Sequence, residues 1–334
     1  MTDLAQVASE LVRTGRGILA ADESIRTMSA RLEAEGIEAS RESRRDYREL
    51  LLTAPGLAET VSGIILSDET FGDTLADGTP FPQASRALGI LPGIKVDTGV
   101  SPLPKGDGAT ITEGLDGLGA RLASYAERGA AFAKWRAVID VQTASPYAVE
   151  TNAHALARYA ALCQEHGIVP IVEPEVLCNG PHDISVSAEV TDRVLAEVFD
   201  QLERQRVDLA GIVLKPNMVT PGLDGAPSTA QAVAAETIGV LGRRVPPAVP
   251  GIAFLSGGHS NEQSCTYLTA VNELAGSSPW ALTYSFGRAL VSDALRTWKG
   301  DPARVEKAQQ VLLANCGRAA AALEARPAPL AGAH

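Results

Sequence analysis

Short apolar runs alternate with longer amphipathic segments along this chain. Eight runs are apolar at successive positions, as are strands buried on both faces of a parallel sheet. Segments of helical periodicity separate most of them, and strands that alternate with helices predict a parallel sheet. Eight such units predict an α/β fold, a (β/α)8 TIM barrel. The runs are Gly17–Asp22, Val61–Ser67, Gly93–Asp97, Ala131–Ile139, Ile168–Glu175, Ala210–Asn217, Gly251–Ser256 and Trp280–Gly287.

An open doubly wound sheet is the alternative architecture. That fold commonly carries a G-x-G-x-x-G loop after its first strand, and no such loop follows Gly17–Asp22. The barrel is therefore favoured, as one domain over residues 1–334 with a short Ala/Pro-rich tail at about 324–334. Two stretches without clear periodicity, Ala76–Pro82 and Pro102–Gly119, are predicted to be loops over the barrel.

Capping residues mark the boundaries of three predicted helices. A serine N-cap followed by proline is typical of a helix start, and a glycine after the last turn is typical of an end. A Ser-x-x-Gln pair is typical of a capping box. The signals are Ser145-Pro146 with Gly167, Ser260 and Gln263 with Gly276, and Asp301-Pro302 after the last strand.

Composition places the chain among ordinary globular proteins. It has 334 residues, of which 45% are hydrophobic and 21% charged, with a net charge of −11 and a pI near 5.0. An acidic balance argues against nucleic-acid binding, and no apolar run reaches the ~18 residues that span a bilayer. The start of the chain shows no secretory signal, and the four cysteines form no Cys-x-x-Cys pair. We expect reduced thiols and a cytoplasmic protein without a membrane partner.

Lys215 is the most informative residue, because it interrupts the apolar run Ala210–Asn217. A buried ammonium is costly, so burial lowers the pKa of a lysine and favours the neutral amine. A neutral amine attacks carbonyl groups. A nearby Lys134 cation would lower the pKa of Lys215 further. A lone lysine of this kind is more often a surface residue whose stem is buried, so the neighbouring charges decide the interpretation.

Other charged residues also fall late in their runs. In a barrel the carboxyl ends of the strands form the mouth, where catalytic groups project. Residues two apart share one face of a strand, so Lys134 and Arg136 point together, as do Glu173 and Glu175. With Asp22 and Lys95, unlike charges converge on one cavity. Such convergence is expected of a catalytic site.

The same residues lie in seven motifs that resemble those of class I fructose-bisphosphate aldolases. The resemblance runs in order from the first predicted helix to about Ala320, and seven motifs in the right order are highly specific. The motifs are Leu19–Ser24, Gly93–Asp97, Phe132–Arg136, Ile171–Glu175, Leu214–Gly222, Phe254–Gly258 and Gly287–Leu290.

The resemblance implies a metal-free aldol cleavage of fructose 1,6-bisphosphate into dihydroxyacetone phosphate and glyceraldehyde 3-phosphate, without a cofactor. It implies that Lys215 forms the Schiff base and that Glu173 dehydrates the carbinolamine. It implies that Asp22 takes the proton from the C4 hydroxyl, with Lys134 beside the nucleophile and Glu175 as a supporting carboxylate. The family is typically tetrameric, so the resemblance also implies a homo-oligomer.

The resemblance further implies two phosphate-binding regions. Residues after the last two strands match the pocket for the ketone-side phosphate, and a loop with a helix N-terminus and an arginine suits phosphate. Residues after the first and third strands fall in the region of the other phosphate. The substrate-binding candidates are Ser256, Gly257, Gly258, Ser285, Gly287 and Arg288 in the first region, Ser24, Thr27, Arg31 and Lys95 in the second, and Arg136 on the fourth predicted strand.

Two departures from the family's pattern bear on specificity and turnover. Arg26 and Ala30 stand where glycine and lysine are usual, so one positive charge is gained and one lost near the far phosphate. The terminal tyrosine of the animal members has no counterpart, since no tyrosine follows Tyr284. We therefore expect another group, or water, to protonate the carbanion. Proton exchange on dihydroxyacetone phosphate after removal of residues 325–334 tests this expectation, and a large loss would contradict it.

Several alternatives remain at this stage. The enzyme could act on another ketose phosphate, such as fructose 1-phosphate or sedoheptulose bisphosphate, or the barrel could be a non-catalytic binding protein. Glu173 could serve only as an ion-pair partner of Arg136, and Asp22 could serve only as a helix cap. His182 and His259 fit no zinc-binding spacing, so no metal site is predicted.

Overall fold

A computed structural model describes residues 3–325, and its strands close into a barrel. Eight parallel strands follow one another in the order β1-β2-β3-β6-β7-β8-β9-β10, and β10 pairs again with β1. The strands in chain order are β1 (Gly17–Ala21), β2 (Val61–Leu66), β3 (Leu91–Lys95), β4 (Gly99–Pro102), β5 (Thr110–Glu113), β6 (Phe132–Ile139), β7 (Val169–Val176), β8 (Val213–Leu214), β9 (Gly251–Phe254) and β10 (Ala281–Phe286).

This topology confirms the predicted (β/α)8 TIM barrel, and the open doubly wound alternative is wrong. Each of the eight predicted runs overlaps one barrel strand. The run around Lys215 was predicted too long, because Leu209–Gly211 forms a 3₁₀ turn and β8 is only Val213–Leu214. Lys215 therefore lies one residue beyond its strand, where its backbone N–H still donates to the Val172 carbonyl at 2.8 Å.

Helices surround the barrel and bury one face each against it. They are α1 (Leu4–Leu11), α2 (Ile25–Ala34), α3 (Arg41–Leu52), α4 (Asp68–Gly72), α5 (Phe81–Ala87), α6 (Leu118–Glu127), α7 (Pro146–Glu165), α8 (Ile184–Arg204), α9 (Ala230–Arg244), α10 (Asn261–Ala275), α11 (Arg288–Trp298) and α12 (Val305–Ala321). Among the described residues, no helix is both long and apolar enough to cross a membrane.

The predicted helix boundaries are confirmed. The hydroxyl of Ser145 caps α7, which ends just before Gly167, and that of Ser260 accepts from the Gln263 N–H at the start of α10. Asp301 caps a short 3₁₀ turn, Pro302–Arg304, that leads into α12. Local hydrogen bonds decide these positions, so the sequence alone located them.

The stretch Pro102–Gly119 was predicted as a loop, and that prediction is wrong for Pro102, for Thr110–Glu113 and for the start of α6. β4 and β5 form an antiparallel hairpin beside the mouth, with Val100 opposite Thr112. The connecting turn places Lys105 and Asp107 at positive φ. The two strands of the hairpin have four residues each and are partly exposed, so neither contains an apolar run. Ala76–Pro82 is irregular except at its end, where α5 begins at Phe81.

The amino end of the barrel is closed by large side chains that pack against strand glycines. A Cβ at Gly17 would lie 2.5 Å from the Tyr284 ring, and one at Gly93 would lie 2.2 Å from Phe132. At Gly251 a Cβ would lie 2.5 Å from Val12, which follows α1. These contacts require glycine, because no Cβ fits. The carboxyl end is open, and the polar groups lie there.

Two apolar layers hold this arrangement. One lies inside the barrel and includes Ile18, Ile65 and Val213, and the larger one lies between the strands and the outer helices. The proposed tail at about 324–334 lies almost entirely outside the described residues. That residues 1–334 form one domain stays a prediction.

Candidate active site

A cavity of about 510 Å³ opens at the carboxyl ends of the strands. All of the residues that the sequence suggested as catalytic or substrate-binding line it. They are Asp22, Ser24, Thr27, Arg31, Lys95, Lys134, Arg136, Glu173, Glu175, Lys215, Ser256, Gly257, Gly258, Ser285, Gly287 and Arg288. The cavity thus brings together residues as far apart in the chain as Asp22 and Arg288, which are 266 positions apart.

At the floor of the cavity four charged groups form a row of alternating sign. Asp22 Oδ2 lies 2.8 Å from Lys134 Nζ, which lies 3.1 Å from Glu173 Oε2. The other oxygen, Glu173 Oε1, lies 3.0 Å from Lys215 Nζ. The side chains of the two lysines are 4% exposed and that of Glu173 is 5% exposed, so water screens these pairs little.

The row shifts the pKa values of Asp22, Glu173 and Lys134. Burial alone would raise the pKa of Asp22, but the Lys134 and Lys215 cations outweigh it and hold that pKa well below its usual value. Burial opposes the charge of Glu173 as well, and the same two cations still lower its pKa. The pKa of Lys134 is raised despite burial, because Asp22 and Glu173 flank it. Both carboxylates are therefore ionised at neutral pH, and Lys134 is an ammonium.

The alternative roles for Glu173 and Asp22 do not match these contacts. Arg136 pairs through Nε with Glu175, not with Glu173. The N-cap of α2 is Ser24, whose hydroxyl accepts from the Thr27 N–H at 3.2 Å, so Asp22 does not cap that helix.

Carboxylates that sequence reasoning missed hold two cations at the β1–β3 side of the mouth. Lys95 Nζ donates to Asp97 Oδ1 at 2.5 Å and to the Asp97 carbonyl at 2.8 Å. Arg31 Nη1 donates to Glu23 Oε1. Glu23 and Asp97 both line the cavity. The Asp97 pairing spans only two residues, and this short spacing could have suggested it.

The β9–β10 side of the cavity is built differently. Gly257 and Gly258 have φ of +56° and +87°, the left-handed backbone that glycine favours, and successive N–H groups in such a turn form an anion-binding concavity. Gly287 precedes α11, whose first residue is Arg288. Arg288 Nη2 lies close to Gly258, 3.9 Å from where a Cβ would stand. Arg288 forms no ion pair with any residue from 3 to 325.

Ser285 adds an unsatisfied hydroxyl to this side. Ser285 is 1% exposed, and its Oγ has no hydrogen-bond partner among the described residues. Ser285 lines the cavity. A buried polar group without a partner is costly, so a ligand atom is its natural complement.

Comparison with known proteins agrees with this geometry. A family model described as fructose-bisphosphate aldolase class-I matches residues 3–329. The chain belongs to the class I fructose-bisphosphate aldolase family. It is 49% identical to cytosolic fructose-bisphosphate aldolase 6 of Arabidopsis thaliana over 94% of this chain and 88% of that one. It is also 49% identical to a probable class 1 fructose-bisphosphate aldolase of Xylella fastidiosa, over 92% and 93% of the two chains.

A solved structure shares the aldolase barrel closely. Fructose-bisphosphate aldolase from Plasmodium falciparum, solved in complex with TRAP and a small-molecule inhibitor, superimposes with a TM-score of 0.94 at 44% identity. The match covers 97% of this chain and 95% of that chain. The predicted resemblance to class I aldolases is thus confirmed.

The two positions of α2 that depart from the aldolase pattern lie outside the cavity lining. Arg26 and Ala30 are both exposed on α2, and neither is among the residues around the cavity. The cysteines, Cys163, Cys178, Cys265 and Cys316, are free thiols. Among the described residues, no three His, Cys, Asp or Glu side chains cluster as ligands for a metal ion.

Proposed function

We propose that this aldolase catalyses the reversible cleavage of fructose 1,6-bisphosphate to dihydroxyacetone phosphate and glyceraldehyde 3-phosphate, through a Schiff base on Lys215. The observation that carries the proposal is the buried row from Asp22 to Lys215, because it places a proton acceptor, Glu173, beside the amine and a second carboxylate, Asp22, at the other end. The names of the relatives favour this substrate over other ketose phosphates and over a non-catalytic barrel.

Schiff-base formation begins with proton transfer inside the row. An amine must be unprotonated to attack the C2 ketone, and Glu173, ionised and 3.0 Å from Lys215 Nζ, can accept its proton. The attack forms a C–N bond and gives a carbinolamine. Glu173, now carrying the proton, returns it to the carbinolamine hydroxyl, which leaves as water. The product is an iminium that accepts electrons from the neighbouring carbons.

Carbon–carbon cleavage then uses the other end of the row. Asp22 accepts the proton of the C4 hydroxyl, and C4 becomes the aldehyde of glyceraldehyde 3-phosphate. The electrons of the C3–C4 bond move to the iminium nitrogen and leave an enamine on Lys215. The low pKa of Asp22 keeps it ionised and ready as a base. Lys134, between Asp22 and Glu173, keeps both carboxylates at fixed positions.

The two phosphates of the substrate bind at opposite sides of the cavity in this proposal. Ser256, Gly257, Gly258, Ser285, Gly287 and Arg288 hold the ketone-side phosphate, and Ser24, Thr27, Arg31 and Lys95 hold the other. Arg136, paired with Glu175, supports the cavity wall near Glu173. Loops after the last two strands of a barrel commonly bind phosphate through backbone N–H groups and a helix N-terminus.

Borohydride trapping tests the chemistry directly. Reduction in the presence of dihydroxyacetone phosphate should fix one equivalent on the chain, and peptide mapping should locate it at Lys215. The Lys215→Met variant, which cannot form an imine, is the matched control. Unchanged cleavage in the presence of a chelator would support the metal-free route that we propose. A modified peptide other than that of Lys215, or no adduct, would overturn the assignment.

We also propose that the chain acts in the cytoplasm as a homotetramer on small sugar phosphates. The Arabidopsis relative is named cytosolic. Light scattering coupled to gel filtration measures the mass of the assembly, which for four chains of 34.8 kDa each is about 139 kDa. A mass of one chain would contradict the tetramer.

A further inference from the structure

Glu23 follows Asp22 directly and joins two arginines at the edge of the cavity. Its Oε1 accepts from Arg31 Nη1 on α2, and its Oε2 accepts from Arg48 Nη2 on α3 at 2.8 Å. Arg48 also reaches Met28 Sδ on α2 at 3.3 Å. Glu23 thereby fixes α2 and α3 relative to the end of β1.

The charges of this triad do not balance. Two guanidinium groups share one carboxylate, so Glu23, Arg31 and Arg48 carry a net charge of +1. The side chain of Arg48 is 2% exposed and that of Arg31 is 16% exposed, so the excess charge faces the cavity through Arg31. Arg31 and Glu23 line the cavity. An anion such as a phosphate complements this excess.

Arg31 is held from a second side as well. Its Nη2 donates to Ser292 Oγ on α11 at 3.2 Å. Ser292 lies one turn after Arg288 on that helix. An arginine has five N–H donors, and these two contacts direct its planar group while leaving donors for a ligand. The hydroxyls of Ser24 and Thr27 lie 3.0 Å apart on the same side of the cavity.

We propose that Glu23 is a positioning residue that sets the preference of this enzyme for ketose bisphosphates over ketose monophosphates. It acts by holding the Arg31 guanidinium toward the phosphate that lies farther from the ketone. This inference rests on the proposed function. Glu23 does not touch the reacting carbons, so its effect is confined to substrates that carry the second phosphate.

The Glu23→Gln variant separates this role from a catalytic one. A glutamine accepts through one oxygen, and its amide N–H₂ faces the other arginine, so one guanidinium must move. Arg31 is the more exposed of the two and is the one that moves. Once Arg31 has moved, its ionic hydrogen bond to the far phosphate is lost. We therefore expect KM for fructose 1,6-bisphosphate to rise about tenfold. We expect kcat/KM for fructose 1-phosphate to change less than about twofold.

Glu69→Gln is the matched control. Glu69 pairs with Arg44 on α3 through two hydrogen bonds of 2.6 and 2.7 Å, with side-chain exposures of 14% and 12%. It does not line the cavity. Glu69→Gln should lower the free energy of unfolding about as much as Glu23→Gln does. It should leave unchanged the ratio of kcat/KM for fructose 1,6-bisphosphate to kcat/KM for fructose 1-phosphate. A ratio that shifts equally in both variants would show that Glu23 is merely structural.

A second variant covers the possibility that Arg48, left unpaired, unfolds the chain. In Glu23→Met/Arg48→Met the fully buried arginine is removed together with both oxygens of residue 23, so Arg31 loses its partner and the same rise in KM is expected. An unchanged or lower KM for the bisphosphate in either folded variant would overturn the proposal. Borohydride trapping at Lys215 is independent of Glu23. If wild-type enzyme gives no adduct, the proposed function fails instead.

Discussion

The two sides of the cavity present cations in different ways. On the β9–β10 side Arg288 stands without an ion pair among residues 3–325, next to two glycines in left-handed backbone. On the β1–β3 side Lys95 and Arg31 are each bound to a carboxylate, Asp97 and Glu23. On the β9–β10 side the features suited to an anion are backbone N–H groups and an arginine without an ion pair. On the β1–β3 side they are cationic side chains that are already paired with carboxylates.

This difference predicts unequal contributions to binding. In our proposal a phosphate on the β9–β10 side meets backbone donors and a guanidinium that has no carboxylate partner among residues 3–325, so no ion pair has to be shared. On the other side a phosphate shares its cations with Glu23 and Asp97, which weakens each contact. We therefore expect the ketone-side phosphate to dominate affinity and the far phosphate to discriminate among substrates.

In the proposed mechanism Lys215 carries the chemistry that both sides serve, so we expect its replacement to have the largest effect. Lys215→Met should reduce kcat for fructose 1,6-bisphosphate and for fructose 1-phosphate by on the order of 10⁴-fold or more, because no imine forms. Steady-state kinetics on the purified variant measures this. Cleavage at the parental rate would refute the mechanism, and with it the comparison of the two sides.

Arg288→Ala tests the β9–β10 side. Loss of an unpaired guanidinium should lower kcat/KM on the order of 10²-fold for both substrates, since both carry the ketone-side phosphate. The matched change on a remote part of the same helix, Arg296→Ala, removes an exposed arginine paired with Asp293 and should have no effect. A loss confined to the bisphosphate would reverse our assignment of the two sides.

Lys95→Met tests the paired side and should have a smaller effect. We expect KM for fructose 1,6-bisphosphate to rise about 10–30-fold, as for one ionic hydrogen bond. Cleavage of fructose 1-phosphate should be almost unaffected. If both substrates suffer alike, Lys95 acts on the reacting centre and not on the second phosphate.

Acid unfolding tests the charged floor between the two sides. The pKa of Asp22 is depressed in the folded chain, so its ionisation adds stability above the unfolded value of about 3.9, and this is lost as pH falls toward the folded value. Below pH ~3.9 the free energy of unfolding should fall by at most about 1.4 kcal/mol per pH unit more in wild type than in Asp22→Asn. Urea titrations at pH 7 and pH 3 measure it, and parallel curves would argue against the depressed pKa.

The strands and the charged residues on them were accessible from the sequence because both follow local rules, whereas the phosphate-side lining was inferred from the family resemblance. A buried parallel strand must be an apolar run, and a charge late in such a run must reach the mouth, as Glu173 does. Helix caps such as Ser145 involve residues three apart. Each of these signals lies within a few residues of the feature that it predicts.

The contacts that join Glu23 to α3 and Arg31 to α11 were less accessible, because their partners are distant in the chain. Glu23 and Arg48 are 25 positions apart, and Arg31 and Ser292 are 261 apart. Neither residue type nor spacing identifies such a contact before the helices pack. The β4–β5 hairpin escaped notice for a different reason, because strands that are half exposed lack the apolar run that marks a buried one.

The glycines at the amino end of the barrel affect how substrate and products reach and leave the cavity. Because Tyr284, Phe132 and Val12 pack directly against them, that end offers no passage. We therefore expect substrate, water and both products to enter and leave through the open carboxyl end.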